Sequence, residues 1–229
     1  MRRECLIRAV LFDMDGTLLD TEPLYRELWK RAIEELGWTV DYDQFFKRVS
    51  GMNMQDMRRA CLEMYGESFP FEKIREVRRH YLTEWWKSNI PATKAGIPHI
   101  LPILKKMGLR LAVATSSGEA YARGLLRQTG IDPLFDAYVT GDMVNRGKPD
   151  PEIFLRAAEV VGVPITECVV AEDSRNGVLA GAAAGARTVM IPDLMPATED
   201  LLPLLWAKLD SLEALPSLIE NYNLESENR

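Results

Sequence analysis

The chain has 229 residues, of which 47% are hydrophobic and 27% are charged, a balance typical of globular proteins. This length is enough for one full core plus a smaller inserted or appended domain. The formal net charge of −6 argues against a nucleic-acid-binding protein, whose contact surface would be basic.

Cysteine and histidine are scarce. Cys5, Cys61 and Cys168 are odd in number and far apart, which fits reduced thiols better than a disulfide framework. With only His80 and His99, a multi-histidine zinc site is disfavoured. The apolar run near the N-terminus lacks a small-residue cleavage site, and no run is long enough to span a membrane. We therefore expect a cytoplasmic protein without a membrane partner, and a monomer as the simplest state.

The first predicted strand is the apolar run AVLF at 9–12, and almost a hundred residues separate it from the next such run. A single crossover helix needs about a dozen residues, so this connection is far too long for one. Helical periodicity predicts three helices within it, which begin after Thr21, at Asn53 and after Pro70. We therefore predict an all-helical cap domain over 20–92, inserted into a core formed by 1–19 and 93–229.

Four further valine-rich runs follow the insert and predict buried parallel strands. They are LAVAT at 111–115, AYVT at 137–140, CVVA at 168–171 and TVMI at 188–191. The segments between them predict helices over 119–128, 151–161 and 175–184. Alternating strands and helices indicate an α/β fold with a Rossmann-like parallel sheet.

Several polar residues stand where helices should begin. Asn53 and Asp56 form a predicted capping pair for the second insert helix. Ser116 or Ser117 is expected to cap the helix over 119–128, and Ser174 the helix over 175–184.

The segment DMDGT directly follows the first predicted strand, so Asp13 and Asp15 stand at its carboxyl end, where open α/β sheets bind ligands. If strand geometry persists, residues two apart project to the same side. Neighbouring carboxylates repel one another and need a cation or a shared proton. We expect the carboxylates of Asp13, Asp15 and Asp173 to converge on Mg²⁺, which prefers oxygen ligands.

Three other strand ends carry polar groups. Thr115 and Ser116 precede a predicted helix, whose free N–H groups would help to cradle an anion such as phosphate. Lys148, in the loop GKPDP, would neutralise a phosphoryl group and a nearby carboxylate. Glu172 and Asp173 end the strand CVVA. Taken singly, these patterns also fit helix caps, a solvated lysine and an acidic turn.

Together the four strand ends resemble those of haloacid-dehalogenase-superfamily phosphatases in the β-phosphoglucomutase-like branch. The matching segments are DMDGTLLDTEPLY, ATSS, GDMVNRGKPDPEIF and VVAEDSRNGVLAGAAAG. They occur in the order and at the spacing of that family, and the resemblance covers nearly the whole chain.

The resemblance implies a phosphomonoester hydrolase that works through a phospho-aspartate intermediate. Asp13 would attack phosphorus, and Asp15 would act as the acid and then the base. Thr115 and Lys148 would hold the phosphoryl oxygens, with Ser116 beside them. The implied Mg²⁺ site comprises Asp13, Asp15 through its backbone carbonyl, Asp173 and, in support, Glu172.

The resemblance also implies that the insert closes over the site and contributes specificity. Candidate substrate contacts are Tyr25, Trp29, Met52, Asn53 and Met54, although the tryptophan and methionines are more typical of a helical core. The substrate would be a small phosphorylated metabolite, and sugar phosphates, nucleotides and pseudouridine phosphate all remain open.

Two departures from the mutase pattern favour hydrolysis over phosphosugar transfer. Tyr25 stands where the mutase has a positioning histidine, and Met54 stands where it has an arginine for the second phosphate. Arg58 or Lys94 could compensate. Dehalogenation is less favoured because an acid such as Asp15 is unnecessary for expelling halide. A non-catalytic phospholigand-binding regulator is the alternative from another class.

Overall fold

The computed structural model describes residues 6–228, so the predicted free thiol of Cys5 lies outside the described residues. Its strands are β1 Ala9–Phe12, β2 Arg110–Thr115, β3 Ala137–Thr140, β4 Cys168–Glu172, β5 Arg187–Met190 and β6 Ala207–Lys208. Its α-helices are α1 Glu22–Glu35, α2 Tyr42–Val49, α3 Met54–Tyr65, α4 Phe71–Trp86, α5 Ile97–Lys106, α6 Glu119–Gln128, α7 Glu152–Val161, α8 Arg175–Ala184 and α9 Leu215–Glu227.

The six strands form one parallel sheet in the order β3-β2-β1-β4-β5-β6. Ala9 of β1 is in register with Arg110 on one side and Cys168 on the other. The chain therefore turns from one half of the sheet to the other beside β1, and this switch point is where Rossmann-like sheets bind ligands. The α/β fold with a parallel sheet is confirmed. Strand β6 was missed, because two residues are too short to show periodicity.

Both faces of the sheet are covered by helices, as the apolar character of the strands predicts. Val10 and Phe12 belong to a buried cluster that includes residues of α5, α6 and α9. Ala9 and Leu11 point to the opposite face, where the cluster includes residues of α7 and α8. The central strand is thus inaccessible along its length, and only its carboxyl end is available for chemistry.

Helices α1 to α4 lie between β1 and β2 and pack around an apolar cluster of their own. Trp29 contacts Phe45 and Phe71 there, with ring centroids 5.9 and 5.8 Å apart. The predicted all-helical insert is therefore present. The sequence prediction missed α2, although Phe45, Phe46 and Val49 face this cluster, and it missed α5 in the core.

Two of the predicted caps are confirmed. The Asn53 side chain accepts the Asp56 N–H at 2.9 Å and donates to the Asp56 carboxylate at 3.0 Å. The Ser174 hydroxyl accepts the Gly177 N–H at 3.1 Å at the start of α8.

The predicted serine cap of α6 is wrong. The helix begins after Gly118, and no side chain caps it from that position. Ser116 and Ser117 instead turn their hydroxyls across the molecule, to the insert and to Asp15. The Glu119 N–H is accepted by Asp142 at 3.1 Å. Tertiary partners have therefore replaced the local cap.

Within residues 6–228, no helix has the length and apolar character needed to cross a membrane.

Candidate active site

A cavity of about 380 Å³ lies between the helical insert and the carboxyl end of the sheet. Its volume suits a small metabolite. The residues that line it from the core are Asp13, Asp15, Thr115, Ser116, Ser117, Gly118, Tyr121, Asp173 and Ser174. Those that line it from the segment between β1 and β2 include Glu22, Tyr25, Arg26, Trp29, Phe46, Met52, Met54, Met57, Arg75, Arg78 and Arg79.

Lys148 is the central cation of the core side. Its ammonium lies 2.5 Å from the Asp13 carboxylate and 2.6 Å from the Glu172 carboxylate, and its side chain is only 1% exposed. It also donates to the Ala114 carbonyl at 3.1 Å. All three ammonium hydrogens therefore have protein acceptors, and a contact with a phosphoryl oxygen would have to replace one of them.

The carboxylates of Asp13, Glu172 and Asp173 form a buried cluster, with one oxygen of each within 4.8 Å of the others. The Asp15 carboxylate is not among them, so the expected convergence of Asp13, Asp15 and Asp173 is wrong. Asp15 turns instead towards hydroxyl groups of the insert and of the loop after β2. Strand alternation does not extend past Phe12, where β1 ends.

Burial raises the pKa of Asp13 well above its ordinary value, although the adjacent Lys148 opposes the shift. Burial raises the pKa of Asp173 in the same way, and the charges of Glu172 and Asp13 add to it. A raised pKa favours the protonated carboxyl group, and a bound cation would favour the ionised one. The donors are all oxygens, and histidine and cysteine are absent from this cluster, so it fits Mg²⁺.

Glycine is required where the backbone passes closest to this cluster. A Cβ at Gly16 would lie 2.3 Å from an Asp173 oxygen, and its φ of +89° also disfavours other residues. A Cβ at Gly177 would lie 1.8 Å from the Glu172 carboxyl group. The first turn of α8 and the loop after β1 can therefore approach the carboxylates only through glycine.

The Asp15 carboxylate is the acceptor for three hydroxyl groups. It accepts hydrogen bonds from Thr21 at 2.8 Å, Tyr25 at 3.0 Å and Ser117 at 2.9 Å. Burial raises the pKa of Asp15, and these three hydrogen bonds oppose the shift. The Tyr25 hydroxyl also makes a short hydrogen bond with Tyr121 of α6, so it joins the insert to the core at this carboxyl group.

Thr115 and Ser116 lie at the end of β2, on the wall of the cavity. The Thr115 hydroxyl accepts the Ser117 N–H at 3.1 Å, which leaves its own hydrogen available to a ligand. The Ser116 hydroxyl donates to the Gly51 carbonyl of the insert at 3.2 Å. Thr115 is therefore free to hold an anion, whereas Ser116 also fastens the insert to the sheet.

Of the candidate contacts in the insert, Tyr25, Trp29, Met52 and Met54 line the cavity. Asn53 is not among the lining residues, because its side chain caps α3 and lies against Gly147. The expectation that Asn53 contacts the substrate therefore has no support from the cavity.

The sequence prediction missed the arginines of the insert. Arg26 of α1 and Arg78 of α4 both line the cavity. A signal was present, since Arg78 stands between Ile74 and Leu82 at spacings of four residues, on the buried face of α4. The two cations suggested from the sequence, Arg58 and Lys94, are not among the residues that line the cavity. Arg58 pairs with Glu72 at 3.5 Å.

Lys94, the other suggested cation, lies outside the insert helices. Its ammonium forms ion pairs with Asp193 at 2.6 Å and with Asp20 at 3.2 Å. It does not line the cavity, so it does not replace there the arginine that the mutase has at the position of Met54.

Comparison with known proteins gives a consistent result. The family model of the haloacid dehalogenase-like hydrolases matches residues 7–185. The chain is 35% identical over 187 residues to a phosphorylated carbohydrates phosphatase of Thermotoga maritima, which covers 80% of this chain and 84% of that protein. It is 35% identical over 183 residues to the fructose-1-phosphate phosphatase YqaB of Escherichia coli, with 79% and 94% covered.

A solved structure with a similar fold is that of CbbY from Rhodobacter sphaeroides in complex with phosphate. It superposes with a TM-score of 0.77 at 29% identity, over 92% of this chain and 96% of that one.

Proposed function

The chain belongs to the haloacid dehalogenase-like hydrolases and is a phosphatase, and we propose that it hydrolyses phosphomonoesters with Mg²⁺ through a phospho-aspartate on Asp13. One observation carries the proposal. Asp13, at the end of the central strand, is at once part of a buried oxygen cluster and 2.5 Å from a buried lysine. A carboxylate can attack an anionic phosphoryl group only if cations screen the repulsion; Lys148 is one such cation, and the oxygen cluster would hold another.

Asp13, Glu172 and Asp173 would hold Mg²⁺, together with the backbone carbonyl of Asp15. When bound, the ion would neutralise the carboxylates and the charge on the phosphoryl oxygens.

The residues of the chain perform the two displacements. A carboxylate oxygen of Asp13 attacks phosphorus, and the bond from phosphorus to the ester oxygen breaks. The leaving oxygen takes a proton from Asp15, and burial raises the pKa of this carboxyl group, which favours its acid form. Asp15 then removes a proton from water, which attacks phosphorus and releases phosphate from Asp13. Thr115 and Lys148 hold the phosphoryl oxygens.

Residues 20–92 form the proposed cap domain, with 1–19 and 93–229 as the core. In support, α1 to α4 pack around an apolar cluster of their own, and Gly51, between α2 and α3, accepts a hydrogen bond from Ser116 of the core at 3.2 Å. A cytoplasmic monomer completes the proposal. Cys61 and Cys168 are buried free thiols, as expected for a reducing compartment.

The proposed substrate is a phosphorylated sugar or similar metabolite, because the named relatives act on phosphorylated carbohydrate and fructose 1-phosphate. Hydrolysis is favoured over a phosphosugar mutase reaction by Tyr25 and Met54, which line the cavity and replace the mutase's positioning histidine and phosphate-binding arginine. Tyr25 is the stronger argument, because Arg26 and Arg78 place other cations in the same cavity.

The test is phosphate release from p-nitrophenyl phosphate and from a panel of phosphorylated metabolites with Mg²⁺, ranked by kcat/KM. A coupled assay for glucose 6-phosphate from β-glucose 1-phosphate runs beside it. Free phosphate forming faster than glucose 6-phosphate is expected. Faster glucose 6-phosphate formation, stimulated by β-glucose 1,6-bisphosphate, would establish the mutase. A folded protein without activity in either assay would point to the phospholigand-binding regulator.

A further inference from the structure

Two arginines on the cap side of the cavity lack acidic partners. Arg26 of α1 and Arg78 of α4 both line the cavity. Among residues 6–228, the structure shows no hydrogen bond or ion pair from either guanidinium. The Nε and Nη2 of Arg26 and the Nε of Arg78 are also buried without an acceptor. The charge of Arg26 lowers the pKa of Glu22, but the two side chains form no ion pair.

Aromatic rings are the groups in closest contact with these charges. The Arg26 guanidinium lies over the Phe46 ring at 4.9 Å, and that of Arg78 lies over Trp29 at 4.9 Å. Burial lowers the pKa of Arg78 from its ordinary value, because the charged guanidinium loses contact with water. Cation–π contacts offset only part of such a cost, and a buried cation normally acquires an anionic partner.

We propose that Arg26 and Arg78 bind a second anionic group of the substrate, a phosphate or a carboxylate, while the phosphoryl group to be transferred lies beside Asp13. This inference rests on the proposed function. Guanidinium groups pair with both anions through charge-assisted hydrogen bonds, so the shared chemistry is that of an oxyanion. The substrate class is therefore a small phosphomonoester with a further anion.

The charge distribution of the cavity supports this orientation. The core side carries Asp13, Asp15 and Asp173, whose carboxylates repel any anion that Mg²⁺ and Lys148 do not hold. The cap side presents Arg26 and Arg78, with Glu22 as the one carboxylate among its lining residues. Two anionic groups on one molecule would therefore occupy opposite sides, and this requirement would select both the substrate and its direction of binding.

The test uses two pairs of substrates that differ in one anionic group. Fructose 1,6-bisphosphate is compared with fructose 6-phosphate, and 3-phosphoglycerate with glycerol 3-phosphate. We expect kcat/KM to be about tenfold or more higher for the bis-anionic member of at least one pair, as one charge-assisted contact implies. The pair that responds identifies the second anion as phosphate or carboxylate.

Arg26→Gln and Arg78→Gln should each lower that ratio about tenfold, and Arg78→Lys should retain part of it. Arg31→Gln is the matched control. Arg31 is also on α1 and also lies over a ring, that of Tyr81, but it is exposed and outside the cavity. An unchanged ratio in folded Arg26→Gln and Arg78→Gln would overturn the inference. If either of these two variants does not fold, the other still tests the same subsite.

A binding assay separates this inference from the proposed reaction. The Asp13→Asn variant is titrated calorimetrically with the same four compounds in the presence of Mg²⁺, alone and combined with Arg78→Gln. Tighter binding of a bis-anionic compound that is lost with Arg78 supports the subsite even if the wild-type protein releases no phosphate. Equal binding within both pairs would overturn the subsite and leave the hydrolytic reaction standing.

Discussion

The two sides of the cavity treat charge in opposite ways. On the core side, Lys148 meets three acceptors and Asp15 meets three donors within the protein. On the cap side, Arg26 and Arg78 lie over aromatic rings, and neither forms an ion pair within the described residues 6–228. Lys148 and Asp15 thus have their partners within the protein, whereas the two guanidinium groups have no acidic partner among residues 6–228. Changes on the core side should affect every substrate alike, and changes on the cap side should alter their ranking.

The sharpest test of the core side is Asp13→Asn. The amide keeps the volume of the side chain but loses its charge and nucleophilicity, so we expect kcat to fall more than about a thousandfold for every substrate. Steady-state phosphate release with Mg²⁺ measures this. Asp200→Asn, at an exposed carboxylate that pairs with Arg175, is the control and should retain activity. Turnover near the wild-type rate in folded Asp13→Asn protein would exclude the covalent mechanism.

Removal of the metal should have a comparable effect. Exhaustive chelation is expected to abolish phosphate release, and Mg²⁺ should restore it. Ca²⁺ should not, because it favours more ligands and longer bonds and would displace Asp13 from its position for attack. The measurement is activity after dialysis against chelator and readdition of each ion. Full activity in the chelated protein would mean that the core side needs no cation.

The stability of the metal-free protein should fall as pH rises. Burial raises the pKa values of Asp13 and Asp173 in the folded state, and that of Glu22 to about 7. The folded state therefore holds protons that the unfolded state has released, and stability declines between the unfolded values near pH 4 and the folded ones. The raised pKa of Lys148 keeps its titration above this window.

One pKa unit corresponds to about 1.4 kcal/mol, so the Tm of the chelated protein should be about 3 °C or more lower at pH 8 than at pH 5. Mg²⁺ should reduce the difference, because it stabilises the ionised carboxylates. Differential scanning calorimetry at both pH values, with and without the ion, measures this. A Tm that rises with pH in chelator would show that the carboxylate cluster is already neutralised by the protein.

Tyr25→Phe tests the junction of the two sides and should have the smallest effect. It removes one of three hydrogen bonds to Asp15, and such a bond to a charged group contributes about 1.5–3 kcal/mol, so kcat should fall roughly ten- to a hundredfold. Because that bond lowers the pKa of Asp15, its loss should move the pH profile of kcat upwards. Tyr42→Phe, at an exposed hydroxyl of the insert, is the control. A reduced kcat with an unshifted profile would indicate a purely structural role.

The strand ends could be predicted because their determinants are local. A run that is apolar on both faces indicates a buried parallel strand, and the residue after it stands at the sheet edge whatever the order of the strands. Asp13, Thr115 and Glu172 were found in this way, and Lys148 in a loop that follows a predicted strand. The structure brings Asp13 and Lys148 together across more than a hundred residues of sequence. The insert followed from the length of its connection, and its helical character from the periodicity of three segments within it.

The fold class, the insert and the polar residues at the sheet edge could therefore be predicted from the sequence. It could not be predicted that Asp15 faces hydroxyl groups rather than the carboxylate cluster, that Asn53 lies outside the cavity lining, or that Arg26 and Arg78 line the cavity. Periodicity specifies which face of an element is buried but not what it is buried against. That depends on how the insert packs over the sheet, through contacts such as Ser116 with Gly51 that join distant segments.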